Sequence, residues 1–163
     1  MNSPSTVVAI DPGLSGALGC LRLESAGVTV SVADMPVMAK GKTKHQVNAA
    51  ELARILREME PTVCVVEQVG AMPKQGVASM FTFGHCLGVI DGVVAALGIP
   101  VVMVTPQTWK KFHGLTADKE MARTKAIRLF PNNSGQLSRK KDNGRAEALL
   151  MALWYVQTHR EGK

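Results

Sequence analysis

Three acidic side chains stand where a folded chain would not ordinarily place a charge. Asp11 and Glu67 each end an apolar run, VVAI and VCVV, of the kind that forms a strand buried on both faces. Glu147 heads a helical stripe that continues with Met151 and Trp154, so it is expected to face inward. Buried carboxylates that converge repel one another unless cations neutralise them, and hard cations prefer oxygen ligands. The three acids therefore predict a Mg²⁺ or Mn²⁺ site.

Each of these acids also has a structural interpretation when it is taken alone. Asp11 precedes Pro-Gly and could serve as a turn former, and Glu67 could have a purely structural role. Glu147 could form a surface ion pair with Arg145 or Lys141. The shared site is favoured because the structural interpretations require three separate coincidences.

Hydrophobic periodicity predicts the elements that must position these acids. Strands are predicted at residues 6–10, 16–23, 27–33, 62–66 and 99–104, and helices at residues 47–59, 79–97, 106–112, 117–129 and 143–158. Residues 40–44, 70–76 and 132–141 are predicted to be loops. Short turns make the first three strands an antiparallel meander, and each helical crossover returns a parallel strand. The predicted class is α/β, with a mixed five-stranded sheet flanked by helices.

This topology would bring the first two acids together. Parallel neighbours end at the same edge of a sheet, with strands about 4.8 Å apart. Asp11 and Glu67 would then share the usual ligand position of an α/β sheet.

Length and composition predict a single domain over residues 1–163. Hydrophobic residues make up 46% of the chain, but no stretch of 18 lacks a charged or polar break, so no membrane span is expected. The first residues do not have the pattern of a secretory signal. Three widely spaced cysteines argue against a disulfide scaffold and suit a reducing cytoplasm.

The excess of positive charge lies in the last third of the chain. Lys and Arg number 19 against 13 Asp and Glu, a net charge of +6. Residues 107–163 carry 12 basic and 5 acidic side chains, a net charge of +7, whereas the preceding part has a net charge of −1. A polyanionic partner explains this asymmetry, and the alternative is a solvated basic surface.

Four motifs together resemble one family. IDPGLSGALG, VVEQV, the TPQTWKK…ADKE…LFP stretch and NGRAEALLMA resemble the RuvC-like Holliday junction resolvases of the RNase H-like superfamily, in the phage and organelle branch. The resemblance covers about residues 5–157. It implies a homodimer that binds a four-way DNA junction, nicks two strands symmetrically and uses two Mg²⁺ held by four carboxylates, with no organic cofactor. Asp11, Glu67 and Glu147 match three of those ligands.

The fourth ligand departs from the pattern of the family. The related motif has an acid at the position of Asn143, which Asp142 precedes. Helix geometry leaves about 40° between positions 143 and 147 but about 140° between 142 and 147, so position 143 is the one that can share a metal with Glu147. Asn143 is interpreted as an Asp→Asn change that inactivates the chain, and the alternative is that Asp142 swings in from the preceding loop.

Basic and loop residues are the candidates for contact with DNA. Lys119 matches a family lysine in ADKE and is expected to steady the scissile phosphate, although a plain surface lysine is the alternative. The candidates for phosphate contacts are Lys110, Lys111, Arg123, Arg139, Lys140, Lys141 and Arg145. The loop after Glu67 and the following helix add Gln68, Met72, Lys74 and Phe81, which could instead be loop-covering or core residues.

The long apolar helix predicted at residues 79–97 is the candidate for the dimer contact. Its glycines Gly84, Gly88 and Gly92 recur every four residues and permit close approach of another backbone. A helix that simply crosses the sheet of a monomer is the alternative.

Three other functions compete with junction resolution. One is an RNase H-like nuclease acting on other branched or hybrid substrates, and another is a junction-binding protein that does not cut, which Asn143 favours. The third is an actin-like ATPase, since DPGLSGALG resembles a phosphate loop, but 163 residues are too few for the two lobes of that fold.

Overall fold

The computed structural model describes residues 5–71 and 73–159 and contains a five-stranded sheet in the order β3-β2-β1-β6-β7. The strands are β1 (Ser5–Asp11), β2 (Ala17–Glu24), β3 (Gly27–Asp34), β4 (Val37–Lys40), β5 (Lys44–Val47), β6 (Val63–Glu67) and β7 (Val101–Val104). The helices are α1 (Ala49–Met59), α2 (Val77–Ala96), α3 (Pro106–Phe112), α4 (Lys119–Leu129), α5 (Ser134–Leu137) and α6 (Asn143–His159). β1, β2 and β3 are antiparallel, and β6 and β7 run parallel to β1. The predicted mixed sheet is confirmed.

The strand alternation divides the core into two layers on opposite faces of the sheet. Val7 and Ala9 of β1 pack with α4 and α6, whereas Val8 and Ile10 pack with α1 and α2. All four residues are at most 1% exposed, so β1 is buried on both faces as its apolar run predicts. Odd-numbered residues of β1 therefore point toward α6.

A small second sheet was not predicted. β4 and β5 form an antiparallel hairpin around residues 41–43, where a polar loop was expected from the sequence. The predicted helix start at residue 47 was also too early, because Val47 closes β5 and Asn48 caps α1 by accepting a hydrogen bond from the Glu51 amide at 3.1 Å. The hairpin is largely exposed, so its sequence lacks the apolar alternation that marks strands of the core.

The predicted irregular stretch at residues 132–141 is more ordered than expected. It contains a 3₁₀ turn at Pro131–Asn133, the short helix α5 and a second 3₁₀ turn at Lys140–Asp142. Short turns of this kind lack a full helical period, so sequence periodicity does not reveal them. α4 begins at Lys119, two residues later than predicted, because Asp118 caps it by accepting from the Glu120 amide at 2.9 Å.

Helix α2 is apolar but mostly uncovered. Only Cys86, Ile90 and Val94 are buried, against the sheet, while Val77 is 85% and Phe81 71% exposed. By length and composition α2 could cross a membrane, which we did not predict, but a single helix of this kind is weak evidence for a span. A helix that packs on the sheet by one face and exposes apolar side chains on the other is also typical of an interface with another protein.

Candidate active site

The first two predicted acids end neighbouring parallel strands. Ile10 of β1 lies opposite Val66 of β6, so Asp11 and Glu67 follow at matched positions, on strands that are typically about 4.8 Å apart. Both side chains belong to the alternation set that points toward α6. The sheet thus presents two carboxylates, side by side, to the helix that carries the third.

The first turns of α6 bring the remaining two predicted ligands to the same place. Glu147 is only 8% exposed, and Asn143 is the first residue of the helix. Within the part of the chain that the structure describes, the buried Oδ1 of Asn143 and the buried Oε1 of Glu147 accept no hydrogen bond. Unsatisfied buried oxygens are unusual and call for a ligand or partner.

Gly144 allows the start of α6 to approach Asp11. A Cβ atom at this position would lie 3.2 Å from Asp11 Oδ2 and 3.1 Å from the Ser15 carbonyl oxygen. A side chain here would require the helix, the Asp11 carboxylate or the turn after β1 to shift by a few tenths of an ångström. We did not single out Gly144 from the sequence, although it lies inside the NGRAEAL motif.

The electrostatics of the acids reflect their crowding. The pKa of Asp11 is raised well above its ordinary value, first because burial disfavours the charged form and then because Glu147 and Glu67 repel it. Burial also raises the pKa of Glu67, while a hydrogen bond from Trp109 opposes that rise. The charge of Lys119 lowers the pKa of Asp11, so this lysine acts on the site. Mutual repulsion of this kind favours binding of a cation.

Helix α3 contributes two groups to the site. The indole Nε1 of Trp109 donates a 2.8 Å hydrogen bond to Glu67 Oε1, and both groups are buried. The Lys110 Nζ lies 3.5 Å from Glu147 Oε1 and forms an ion pair with it but no hydrogen bond. We had predicted Lys110 as a phosphate contact but had overlooked the role of Trp109. A fully buried Trp needs an acceptor for its N–H, and this requirement could have pointed to a hydrogen bond from Trp109.

Asp142 is engaged away from the acids. It is 1% exposed, and its carboxylate accepts from the Arg139 amide at 2.9 Å and from Arg139 Nη2 at 2.8 Å. These bonds close the 3₁₀ turn before α6 and lower the pKa of Asp142. Asp142 thus stabilises the start of α6, while the amide of Asn143 has a free oxygen.

The site residues supply the ligand atoms that a divalent cation prefers, but they are not arranged as a preformed metal cluster. Among residues 5–71 and 73–159, no three His, Cys, Asp or Glu side chains form a preformed metal cluster. Asp11, Glu67, Glu147 and Asn143 offer only oxygen atoms, two of them unsatisfied and buried, which is the ligand type of Mg²⁺ and Mn²⁺.

The predicted DNA contacts fall into two groups. Three arginines are already used within the chain. Arg123 donates to the Ser138 carbonyl oxygen at 2.6 Å, Arg139 holds Asp142, and Arg145 forms a bidentate pair with Asp34 at 2.7 and 2.9 Å. The remaining side chains are exposed or partly exposed, namely Gln68, Lys74, Phe81, Lys110, Lys111, Lys119, Lys140 and Lys141. Met72 lies outside the described residues.

A sizeable groove lies away from the acids. It has a volume of about 910 Å³ and lies between β3, α4 and the last turns of α6, with Leu23, Phe130 and Val156 among its lining. None of the acids lines it. The candidate site is therefore assigned from the chemistry of its side chains and not from the size of a cavity.

Comparison with solved structures identifies the fold. Thermus thermophilus RuvC is similar with a TM-score of 0.65 and 23% identity over 96% of each chain. T. thermophilus RuvC in complex with a Holliday junction substrate gives a TM-score of 0.59 and 20% identity, again over 96% of each chain. The fowlpox virus Holliday junction resolvase gives 0.57 and 14%, over 94% of this chain and 99% of the other.

The sequence itself gives no such match. No protein-family model matches it, and neither does any curated protein. The likeness therefore rests on the arrangement of the strands and helices. On that arrangement, the chain has the fold of the RuvC-like Holliday junction resolvases.

Proposed function

We propose that this protein is a structure-selective endonuclease that binds four-way DNA junctions and resolves them by paired, symmetric phosphodiester hydrolysis. The observation that carries the proposal is the meeting of Asp11, Glu67 and Glu147 at one edge of the sheet. The RuvC-like fold supports it, since the similar structures include a resolvase in complex with a Holliday junction.

Two Mg²⁺ ions, for which Mn²⁺ could substitute, would be held by Asp11, Glu67, Glu147 and the side chain at position 143. When bound, such ions activate a water molecule as the nucleophile and stabilise the leaving 3′ oxygen. Around them, Lys119 and Lys110 would hold the scissile phosphate by its negative charge. Lys111, Lys140 and Lys141 are exposed on the same third of the chain and would hold the flanking backbone.

Asn143 would leave this site short of one charge. Among the described residues its buried amide oxygen accepts no hydrogen bond, and an aspartate at this position, one helical turn before Glu147, would add a negative ligand. We infer that position 143 carries an inactivating Asp→Asn change. The engagement of Asp142 with Arg139 argues against the alternative that Asp142 takes the missing role.

Cleavage of a synthetic mobile four-way junction with and without Mg²⁺ tests the proposal. The Asn143→Asp protein should cut at least about 100-fold faster than the unaltered chain, which corresponds to about 2.7 kcal/mol of transition-state stabilisation. Three-way and RNA–DNA hybrid substrates run beside it should be cut more slowly. Equal cleavage of all substrates would instead indicate a broader RNase H-like nuclease.

A junction-binding protein that does not cut is the second candidate, and Asn143 is the feature that favours it. The same gel separates the two, because a protein built only for binding would shift the junction but remain inactive as Asn143→Asp. An intact junction in every lane would overturn the nuclease assignment.

We further propose that the protein is a homodimer, because a junction has two equivalent strands to cut. The exposed apolar side chains of α2 and its glycines support this helix as the contact. Among the described residues, nothing lies within 4 Å of a Cβ added at Gly84, Gly88 or Gly92, so these positions are open to a second backbone.

Replacing Gly88 by Ala tests this contact. In the monomer the change should stabilise α2 by about 0.5–1 kcal/mol, since Gly is the poorer helix former. In a dimer that packs on these glycines it should weaken association by about tenfold or more, measured by sedimentation velocity. Gly135→Ala on α5, where an added Cβ also meets nothing within 4 Å of the described residues, is the matched control and should leave association unchanged.

For the compartment we propose the cytoplasm of a bacterial or phage-infected cell, or an organelle matrix. Cys20, Cys64 and Cys86 are free and buried in the same core layer, which suits a reducing environment.

A further inference from the structure

A single hydrogen bond ties the end of β6 to helix α3. Trp109 is 0% exposed, and its indole N–H donates to Glu67 Oε1 at 2.8 Å. The indole is a donor only and carries no charge. It therefore fixes one oxygen of Glu67 without cancelling the negative charge that a cation would use.

Helix α3 is itself anchored at both ends. At its start, Thr105 Oγ1 accepts from the Thr108 amide at 3.3 Å. After its last turn, the His113 ring donates from Nε2 to the Leu150 carbonyl oxygen of α6 at 2.7 Å. Trp109 thus sits on a short rigid element fastened to the helix that carries Glu147.

Among the described residues, the hydrogen bond to the Glu67 carboxylate comes from Trp109. Glu67 is the last residue of β6, and the segment from Gln68 to the start of α2 has neither helix nor strand among its described residues. A glutamate has three side-chain torsions, and a ligand that must find its own rotamer binds a metal less tightly. The Trp109 ring also limits where the Lys110 ammonium group can lie. Lys110 Nζ is 5.2 Å from the centre of that ring and 3.5 Å from Glu147 Oε1.

From this geometry we propose that Trp109 is a positioning residue that holds the Glu67 carboxylate in the orientation needed to bind the divalent cation. The inference rests on the proposed nuclease function and deepens it. Trp109 does not contact the reacting atoms, and its effect passes entirely through Glu67.

The decisive variant removes the N–H and keeps the ring. Benzothienylalanine, which has sulfur in place of the indole N–H, is inserted at position 109 of the Asn143→Asp protein, with Trp109→Phe as a second variant. Free Mn²⁺ is measured by electron paramagnetic resonance. Loss of the hydrogen bond should weaken Mn²⁺ binding by about 10–100-fold, as loss of such outer-shell partners generally does. Trp154→Phe, the matched control at the other tryptophan of the chain, should change the affinity by less than about twofold, because Trp154 lies seven residues beyond Glu147, or about 10 Å further along α6.

A spectroscopic readout separates positioning from mere packing. In the Trp154→Phe background Trp109 is the only tryptophan, so its emission reports on its own hydrogen bond. Titration with Mg²⁺ should shift that emission, and the shift should be absent in the same protein carrying Glu67→Gln.

The outcomes distinguish this inference from the function on which it rests. If the Trp109 variants keep the Mn²⁺ affinity of their parent, or if Mg²⁺ leaves the Trp109 emission unchanged, Trp109 does not position Glu67, even where the parent cleaves junctions. If the parent neither binds Mn²⁺ nor cleaves, the nuclease proposal fails together with the inference. A variant that retains the unfolding midpoint of its parent but loses affinity and signal together supports the inference.

Discussion

At the scale of single residues, adjacent positions 142 and 143 have opposite environments. Asp142 is fully paired, whereas the Asn143 oxygen is buried and unpaired in the described structure. Sequence spacing favoured position 143 over 142 for sharing a metal with Glu147, and the side-chain partners agree with that preference. Sequence could not show the pairing of Asp142 with Arg139, because a turn that short has no periodic signature.

Replacing Asp142 by Asn should cost stability more than it costs metal binding. The change removes acceptors from a buried network with Arg139, so the free energy of unfolding should fall by about 1–3 kcal/mol in urea denaturation. Because the pKa of Asp142 is lowered in the folded state, its contribution is present above the unfolded pKa and is lost as the pH falls through the folded value. Unchanged stability with abolished Mn²⁺ binding would identify Asp142 as a ligand and refute our assignment.

Replacing Asp11 should have the opposite effect on stability to replacing Asp142. The folded-state pKa of Asp11 is raised, so the ionised carboxylate destabilises the metal-free protein, and this cost grows as the pH rises from the unfolded pKa through the folded pKa. Asp11→Asn should therefore raise the stability at pH 7 by about 1 kcal/mol, or about 2–4 °C in Tm, while Mg²⁺ no longer stabilises the protein. Differential scanning calorimetry at pH 5 and pH 7 with and without Mg²⁺ measures both effects. A lower Tm for the variant at pH 7 would contradict the assigned repulsion.

At the scale of elements, α6 is the helix on which the site depends, because it lies across the sheet and brings Glu147 to the strand ends. It can lie so close because β2 has no side chain at Gly19. A Cβ there would be 2.6 Å from the Leu149 amide nitrogen and 2.8 Å from the Ala148 carbonyl carbon. Backbone atoms cannot rotate away as side chains do, so the contact fixes the distance between helix and sheet.

Gly19→Ala should therefore destabilise the fold by about 1–3 kcal/mol through overpacking. The loss is measured by urea unfolding at constant m value. Gly135→Ala, in a helix with open space around the glycine, is the control and should not destabilise. If the two variants are equally stable, α6 does not rest on β2 as closely as described.

The elements also show where prediction from sequence ends. The five strands of the main sheet and the long helices were predicted because β1, β6 and α6 bury continuous or periodic apolar sets. The hairpin of β4 and β5 was missed because its two strands are only four residues long and largely exposed, so they lack the apolar alternation of core strands. The hydrogen bond between Trp109 and Glu67 joins residues 42 positions apart, so only the folded arrangement reveals it.

At the scale of the whole molecule, the excess of positive over negative charge lies in the part of the chain that follows β7. Residues 107–163 carry a net charge of +7, and this part includes α3, the 3₁₀ turn at Lys140–Asp142 and the start of α6, all adjoining the acids. The uneven distribution would orient an approaching polyanion toward the site.

The salt dependence of junction binding tests that distribution. Replacing both Lys140 and Lys141 by Gln should weaken binding and make the plot of log K against log salt concentration shallower by up to about 1.8, or about 0.9 for each phosphate that a lysine no longer neutralises. Arg57→Gln, on α1 beyond the other face of the sheet, should leave the slope unchanged. Equal slopes for the two variants, measured by fluorescence anisotropy, would show that the turn does not contact DNA.

Because α6 packs closely on β2, the four residues of the site form two groups, one on the strands and one on the helix. Asp11 and Glu67 move with the strands, while Glu147 and position 143 move with the helix, and two bare backbone positions, Gly19 and Gly144, set the gap between the groups. Widening that gap by the size of one methyl group would separate the groups without altering a single ligand. Metal binding would thus depend on the distance between the backbones of helix and sheet as much as on the carboxylates themselves.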